Sequence, residues 1–105
     1  MARLAAIVLA GLAAFAAVPL ASAGNTIRVS VAKLAFSPAQ INAHIGDTIE
    51  WASTDVLVHT ATARNRDWDV NIPAKGSGRI TLTKAGTFDY YCRFHPNMTG
   101  KIIVE

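Results

Sequence analysis

The sequence predicts an all-β domain, a two-sheet antiparallel β-sandwich, and three observations predict it. Short runs rich in β-branched and aromatic residues alternate apolar and polar positions with period two. Gly, Pro, Asn and Asp punctuate those runs at close intervals. After residue 23, no window sustains the i, i+3, i+4, i+7 apolar stripe of an amphipathic helix. Six or more such strands in so short a stretch suit two packed sheets.

The elements follow in order. "TIRVSVAKLAF" alternates at Ile27, Val29 and Val31. "SPAQINAHIGDTIEW" reads as a proline turn, a short strand, a turn at Gly46-Asp47, and a strand with Ile49 and Trp51 on one face. "VLVHTATA" (Val56 to Ala63), "GRITLT" (Gly78 to Thr83), "GTFDYYC" (Gly86 to Cys92) and "TGKIIVE" (Thr99 to Glu105) complete the set. "RNRDWDVNIPAKGSG", Arg64 to Gly78, reads as a loop with one short edge strand. Alternation puts Phe88, Tyr90 and Cys92 on one strand face and Asp89 and Tyr91 on the other. The thiol is therefore expected inside, near one end of the sandwich. Tyr90, two residues before Cys92 and just after a Gly turn, has the spacing of a tyrosine corner.

The N-terminus has a different character. Arg3 precedes an apolar run from Leu4 to Val18, followed by Pro19 and the small triplet Ala21-Ser22-Ala23. That order marks a secretory signal peptide over 1–23, with cleavage between Ala23 and Gly24. The run is Ala-rich and short for an uncleaved anchor, and the only cysteine, Cys92, is too far along to carry an N-terminal lipid. The expectation is an exported, periplasmic protein, free of the membrane after cleavage, whose residues 24–105 form one domain of about 82 residues. The formal charge of +3 falls to about +2 when Arg3 leaves with the signal. Such a mild excess, without a Lys/Arg run, argues against nucleic acid and only modestly favours an acidic protein partner.

A domain this small often needs a staple, and a single cysteine cannot form an intramolecular disulfide. That directs attention to "YYCRFHPNM", where Cys92, His95 and Met98 follow each other at intervals of three. Three readings compete. In the first, Cys92 is a small buried hydrophobe, His95 a loop residue and Met98 core filler; a free thiol in an oxidising compartment then goes unshielded. In the second, the thiol is catalytic, but exchange needs a second cysteine and a Cys-His hydrolase leaves Met98 unexplained. In the third, thiolate, thioether and imidazole form a soft ligand set that selects copper over Mg²⁺, Ca²⁺ or Zn²⁺. A second imidazole must come from His44, beside the Gly46-Asp47 turn, or from His59, in an apolar strand fit to run beside the cysteine strand. The metal reading takes His59, Cys92, His95 and Met98: two imidazoles and a thiolate in a plane with a long axial methionine, a blue-copper set.

On "IGDTIEW", "VHTATA", "LTKAGTFDYYC", the C-x2-H-x2-M loop and "TGKIIVE", the chain resembles the cupredoxins over essentially all of 24–105. Its short ligand loop is similar to that of the amicyanins, with pseudoazurin and plastocyanin more distant. The resemblance implies a Greek-key sandwich holding one type 1 copper ion. It implies a monomer, not an enzyme, that passes single electrons between transient redox partner proteins. It also implies an electron port where His95 and Pro96 reach the surface through an apolar patch, bordered by neighbours drawn from Phe94, Asn97, Val56, Leu57, Pro38 and Pro73. Arg64, Arg66, Arg93 and Lys101 either steer an acidic partner or are ordinary solvated charges.

Three departures from the family pattern carry expectations. Thr60 stands where Asn is common; its N–H still reaches the thiolate, but the side-chain tie between the two ligand loops is expected to be lost. Phe94 stands where amicyanins have Pro, and its N–H, which proline lacks, is expected to give Cys92 Sγ a second hydrogen bond. Arg93 replaces a small hydroxyl residue and adds positive charge beside the site. The alternative function is a periplasmic copper carrier that exchanges the ion with a partner. An oxidase or reductase of this lineage needs further His clusters, and only His44 remains.

Overall fold

Turn chemistry cuts the described part of the chain into nine short strands. The structure, a computed structural model, describes residues 24–105, so the expected signal segment lies outside the described residues. The strands are β1 (Thr26–Ala32), β2 (Ala35–Ser37), β3 (Gln40–Ala43), β4 (Thr48–Ser53), β5 (His59–Ala63), β6 (Asp69–Ile72), β7 (Ser77–Thr81), β8 (Gly86–Tyr91) and β9 (Thr99–Val104). They form a four-stranded sheet, β2-β1-β4-β7, and a five-stranded sheet, β3-β9-β8-β5-β6. The expected two-sheet sandwich is therefore present, and β6 is the short edge strand expected between Arg64 and Gly78.

The expectation of purely antiparallel sheets needs correction, because both sheets are mixed. β1 runs parallel to β4, with Thr26 beside Thr48, and β3 runs parallel to β9, with Gln40 beside Lys101. Short turns dictate antiparallel pairing only between consecutive strands. These pairs are not consecutive: β3 belongs to the other sheet, so β4 returns beside β1 in the same direction. A second difference falls in "TIRVSVAKLAF", which is a hairpin rather than one strand. Lys33 and Leu34 sit at its tip with φ of 54° and 57°, the left-handed conformation that a two-residue hairpin turn demands.

Alternation sets the core. Val29, Val31, Ile49, Trp51, Ile72, Phe88, Tyr90 and Ile102 turn inward from both sheets and are buried. Trp51 lies edge-on to Tyr90, with centroids 5.5 Å apart, and Phe36 meets the same tyrosine at 4.8 Å. The Tyr90 hydroxyl accepts the Trp51 indole N–H at 3.2 Å. It thus serves a side chain of the opposite sheet instead of the nearby backbone of a tyrosine corner. Gly100, opposite Tyr90 on β9, leaves room for that ring, since a Cβ there would collide with it. On the outer face Glu50 is clamped by Arg28 and Arg79, its cross-strand neighbours on β1 and β7. Their hydrogen bonds hold its carboxyl below the usual range.

Asp47 pins the end of the sheet where the chain enters. Its carboxylate accepts the backbone N–H groups of Asn25 at 2.9 Å and His44 at 2.8 Å. These bonds, His44's foremost, hold its carboxyl below its ordinary value. His44 itself is largely exposed, which removes it from the site described next.

Candidate metal centre

β8 carries its inward alternation one residue past its end, so that Cys92 follows Phe88 and Tyr90 into the interior and is fully buried. The ladder between β8 and β9 also continues by one rung, since the Cys92 N–H donates to the Met98 carbonyl at 3.1 Å. Between those two residues the chain makes two successive tight turns. The His95 N–H donates to the Cys92 carbonyl at 3.2 Å, and the Met98 N–H to the His95 carbonyl at 2.8 Å. The interval of three residues thus has a physical meaning: each interval is one i→i+3 turn, and the three residues stand at its corners. Met98 is 2% exposed and His95 is half-buried.

The second histidine arrives from the neighbouring strand. β5 pairs with β8 through Thr62 beside Tyr91 and Ala63 beside Tyr90, which brings His59, at the other end of β5, alongside the loop. Its imidazole is fully buried. His59 Nδ1 lies 3.7 Å and His95 Nδ1 3.6 Å from Cys92 Sγ, and the two rings are 4.9 Å apart. One nitrogen from each histidine and the sulfur all lie within 4.8 Å of one another. His59, Cys92 and His95 therefore converge as a group able to hold a metal ion, and the donors are those of a soft or borderline one. The nearest carboxylate, Asp55, is turned to the far nitrogen of His59 at 2.9 Å, so it does not make the set suit a hard ion.

The electrostatics favour a thiolate. Burial opposes ionisation of Cys92, but the Thr60 N–H, at 3.4 Å from the sulfur, and then the two histidines outweigh it, with Phe94 N–H contributing least. The result is a thiol lowered to about 6. For His59, burial disfavours the imidazolium, yet the hydrogen bonds to Asp55 and Cys92 and the attraction of their charges lift it above its ordinary value.

Thr60 overturns one sequence expectation, for the tie between the ligand loops is kept. The Arg93 N–H donates to Thr60 Oγ1 at 2.9 Å. The Thr60 hydroxyl passes its hydrogen to Thr62 Oγ1 at 2.9 Å, and Thr62 donates to Asp69 Oδ1 at 2.7 Å. Arg93 Nε reaches the same carboxylate at 3.2 Å, which also offsets the charge that Arg93 brings. Lys101 is likewise near an acid, Asp89, at 3.8 Å. Arg64 stacks on Tyr91, and Arg64, Arg66 and Arg93 share a cavity of about 480 Å³ beside the ligand loop.

The outer end of the site is apolar. His95, Pro96, Asn97 and Met98 line one depression together with Leu34, a residue that the sequence reading places within a strand. Its only signal was the pair Lys33-Leu34, without the Gly or Asn that announces a hairpin. Phe94, Leu34 and the Val56–Val58 segment are all exposed. Val56 to Val58 lie outside β5 because Asp55 takes the N–H groups of Val56 and Leu57.

Two mixed sheets with a buried thiol and two imidazoles at one end define a cupredoxin-like domain. The profile of that family, described as the cupredoxin-like domain, matches residues 3–104, and the chain belongs to it. Relatives that it matches include amicyanins. Amicyanin-alpha of Methylorubrum extorquens is 34% identical over 98 residues, covering 88% of this chain and 82% of that protein. Amicyanin of Paracoccus denitrificans is 31% identical, covering 79% and 68%. The crystal structure of Paracoccus versutus amicyanin superposes with a TM-score of 0.68 at 28% identity over 76% of this chain and 81% of that one. A reduced amicyanin mutant with proline replaced by phenylalanine gives 0.66 at 29% identity, over 76% and 82%. The reduced Cu(I) form of another mutant at pH 4 gives 0.67 at 28%, over 82% and 86%.

Proposed function

We propose that this chain is a periplasmic blue copper protein that carries single electrons between redox partner proteins, with His59, Cys92, His95 and Met98 as its copper ligands. The convergence of His59 Nδ1, Cys92 Sγ and His95 Nδ1 within 4.8 Å carries the reading. The relatives support it, one being described in a Cu(I) form. The bound ion would supply a one-electron couple; everything else is the protein's contribution.

That contribution is mainly restraint. Transferring an electron quickly requires ligands that hold nearly the same positions in both oxidation states. Cys92, His95 and Met98 are fixed by two tight turns and a ladder rung, and His59 by β5. Thr60 serves twice, since its N–H supports the thiolate and its hydroxyl locks β5 to the ligand loop. Phe94 offers a further N–H toward the sulfur. His95 and Pro96, in an apolar depression with Leu34, form the surface through which an electron leaves. Apolar surroundings suit brief docking that excludes water without a lasting interface.

In this reading residues 1–23 are a signal peptide removed on export and 24–105 a monomeric copper domain. Among the described residues no helix is long and apolar enough to cross a membrane. The test is to add Cu(II) to the purified 24–105 protein and record its visible spectrum. An intense blue band from thiolate-to-copper charge transfer, lost in Cys92→Ala, is expected. A colourless protein, or colour that survives Cys92→Ala, defeats the reading.

A further inference from the structure

The segment that delivers His59 also grips the ring nitrogen that faces away from the sulfur. Asp55 Oδ2 lies 2.9 Å from His59 Nε2. Its other oxygen, Oδ1, accepts the N–H groups of Val56 at 2.8 Å and Leu57 at 3.3 Å. The Asp55 backbone is anchored on both sides: its N–H donates to Ser53 Oγ at 3.0 Å and its carbonyl accepts the Lys75 N–H at 2.8 Å. His59 is fully buried and the Asp55 side chain is 17% exposed, so water competes little for this contact.

An ionised carboxylate can only accept hydrogen bonds. Nε2 must then carry the hydrogen of the neutral ring, leaving the lone pair on Nδ1, the atom that faces Cys92 Sγ at 3.7 Å. We propose that Asp55 is a positioning residue of the metal centre: it sets His59 in the Nε2–H tautomer before any metal arrives, and its charge makes the imidazole a stronger donor. The second half rests on the copper reading above. A more basic imidazole and a nearby negative charge both favour the more highly charged Cu(II) over Cu(I), so Asp55 holds the reduction potential down. Carboxylates placed behind a ligating histidine in this way commonly matter by about 10–100-fold in metal affinity.

Two measurements decide the matter. In the metal-free wild type, at a pH where His59 is neutral, imidazole ¹⁵N NMR should show hydrogen on Nε2 of His59; a dominant Nδ1–H tautomer would overturn the proposal. In the copper-loaded Asp55→Asn protein, Cu(II) affinity should fall about 10–100-fold, with a smaller change for Cu(I) and a higher reduction potential. Asparagine keeps an oxygen for the Val56 and Leu57 N–H groups, so the turn should survive, while its amide NH2, a donor, then faces Nε2 and the variant loses both the charge and the acceptor of the Nε2 hydrogen. A potential equal to or below that of the wild type would also overturn the proposal, because a merely structural role predicts no upward shift. Failure of the copper reading looks different, a wild type that stays colourless with Cu(II), and the tautomer of the metal-free protein then decides the positioning role alone.

Discussion

Replacing Thr60 by valine keeps the β-branched shape and removes one oxygen. In the native protein that oxygen accepts the Arg93 N–H at 2.9 Å and hands its own hydrogen to Thr62. Thr62 still donates to Asp69 in the variant, so its loss is small. The Arg93 N–H, part-buried, is left without its acceptor. Stranding one such group costs about 1–3 kcal/mol, and valine opens no cavity to add to it. In a domain of this size each kcal/mol lowers the melting temperature by about 4–8 °C. Thr60→Ser, which retains the hydroxyl, serves as the control and should lose only the contacts of a methyl group. The assay is urea or thermal unfolding of the metal-free proteins, followed by circular dichroism. A Thr60→Val protein as stable as the wild type, or no less stable than Thr60→Ser, would refute the claim that this hydroxyl ties the two ligand segments together.

Cys92 should titrate in the metal-free protein with a midpoint of about 6, read from thiolate ultraviolet absorbance; the ordinary thiol value of about 8.5 would show that Thr60 and the histidines do not stabilise the thiolate. Since the folded value lies below the unfolded one, Cys92 contributes its stability fully above about 8.5 and loses it as pH falls through about 6. Phe94→Pro, which deletes a second N–H that favours the thiolate, should lower the reduction potential; equal potentials in a redox titration would dismiss that N–H. Gly100→Ala drives a Cβ into the Tyr90 ring and should cost about 1–3 kcal/mol in urea unfolding, with little effect if the β8–β9 packing described here is wrong.

Much of the fold was legible because it follows from local rules. Period-two alternation placed Phe88, Tyr90 and Cys92 inward and left Asp89 exposed. It also set His59 in a buried strand next to the cysteine strand. What escaped is non-local or made by single hydrogen bonds. The parallel pairings of β1 with β4 and β3 with β9 join strands 22 and 61 residues apart in register, as in Thr26 with Thr48 and Gln40 with Lys101. No period in the sequence encodes such a partnership. Val56 to Val58 read as strand because all three are apolar and the two valines β-branched, yet the Asp55 carboxylate captures the first two N–H groups and turns the segment outward. Thr60 looked like the loss of a side-chain tie because an amide and a hydroxyl differ in reach; the close approach of Arg93 makes the hydroxyl sufficient. Asp55 and Leu34 gave no motif signal, as their importance lies in what three-dimensional packing sets beside them.

An electron carrier holds copper at one site in both oxidation states without rearranging, which separates it from a protein that hands the ion on. Voltammetry of the copper-loaded 24–105 protein tests this distinction most directly, with metal content measured before and after repeated cycles. A reversible one-electron wave, full recovery of the blue colour on reoxidation and no loss of copper are expected of the electron carrier. An irreversible wave, or copper released on reduction, would contradict that role.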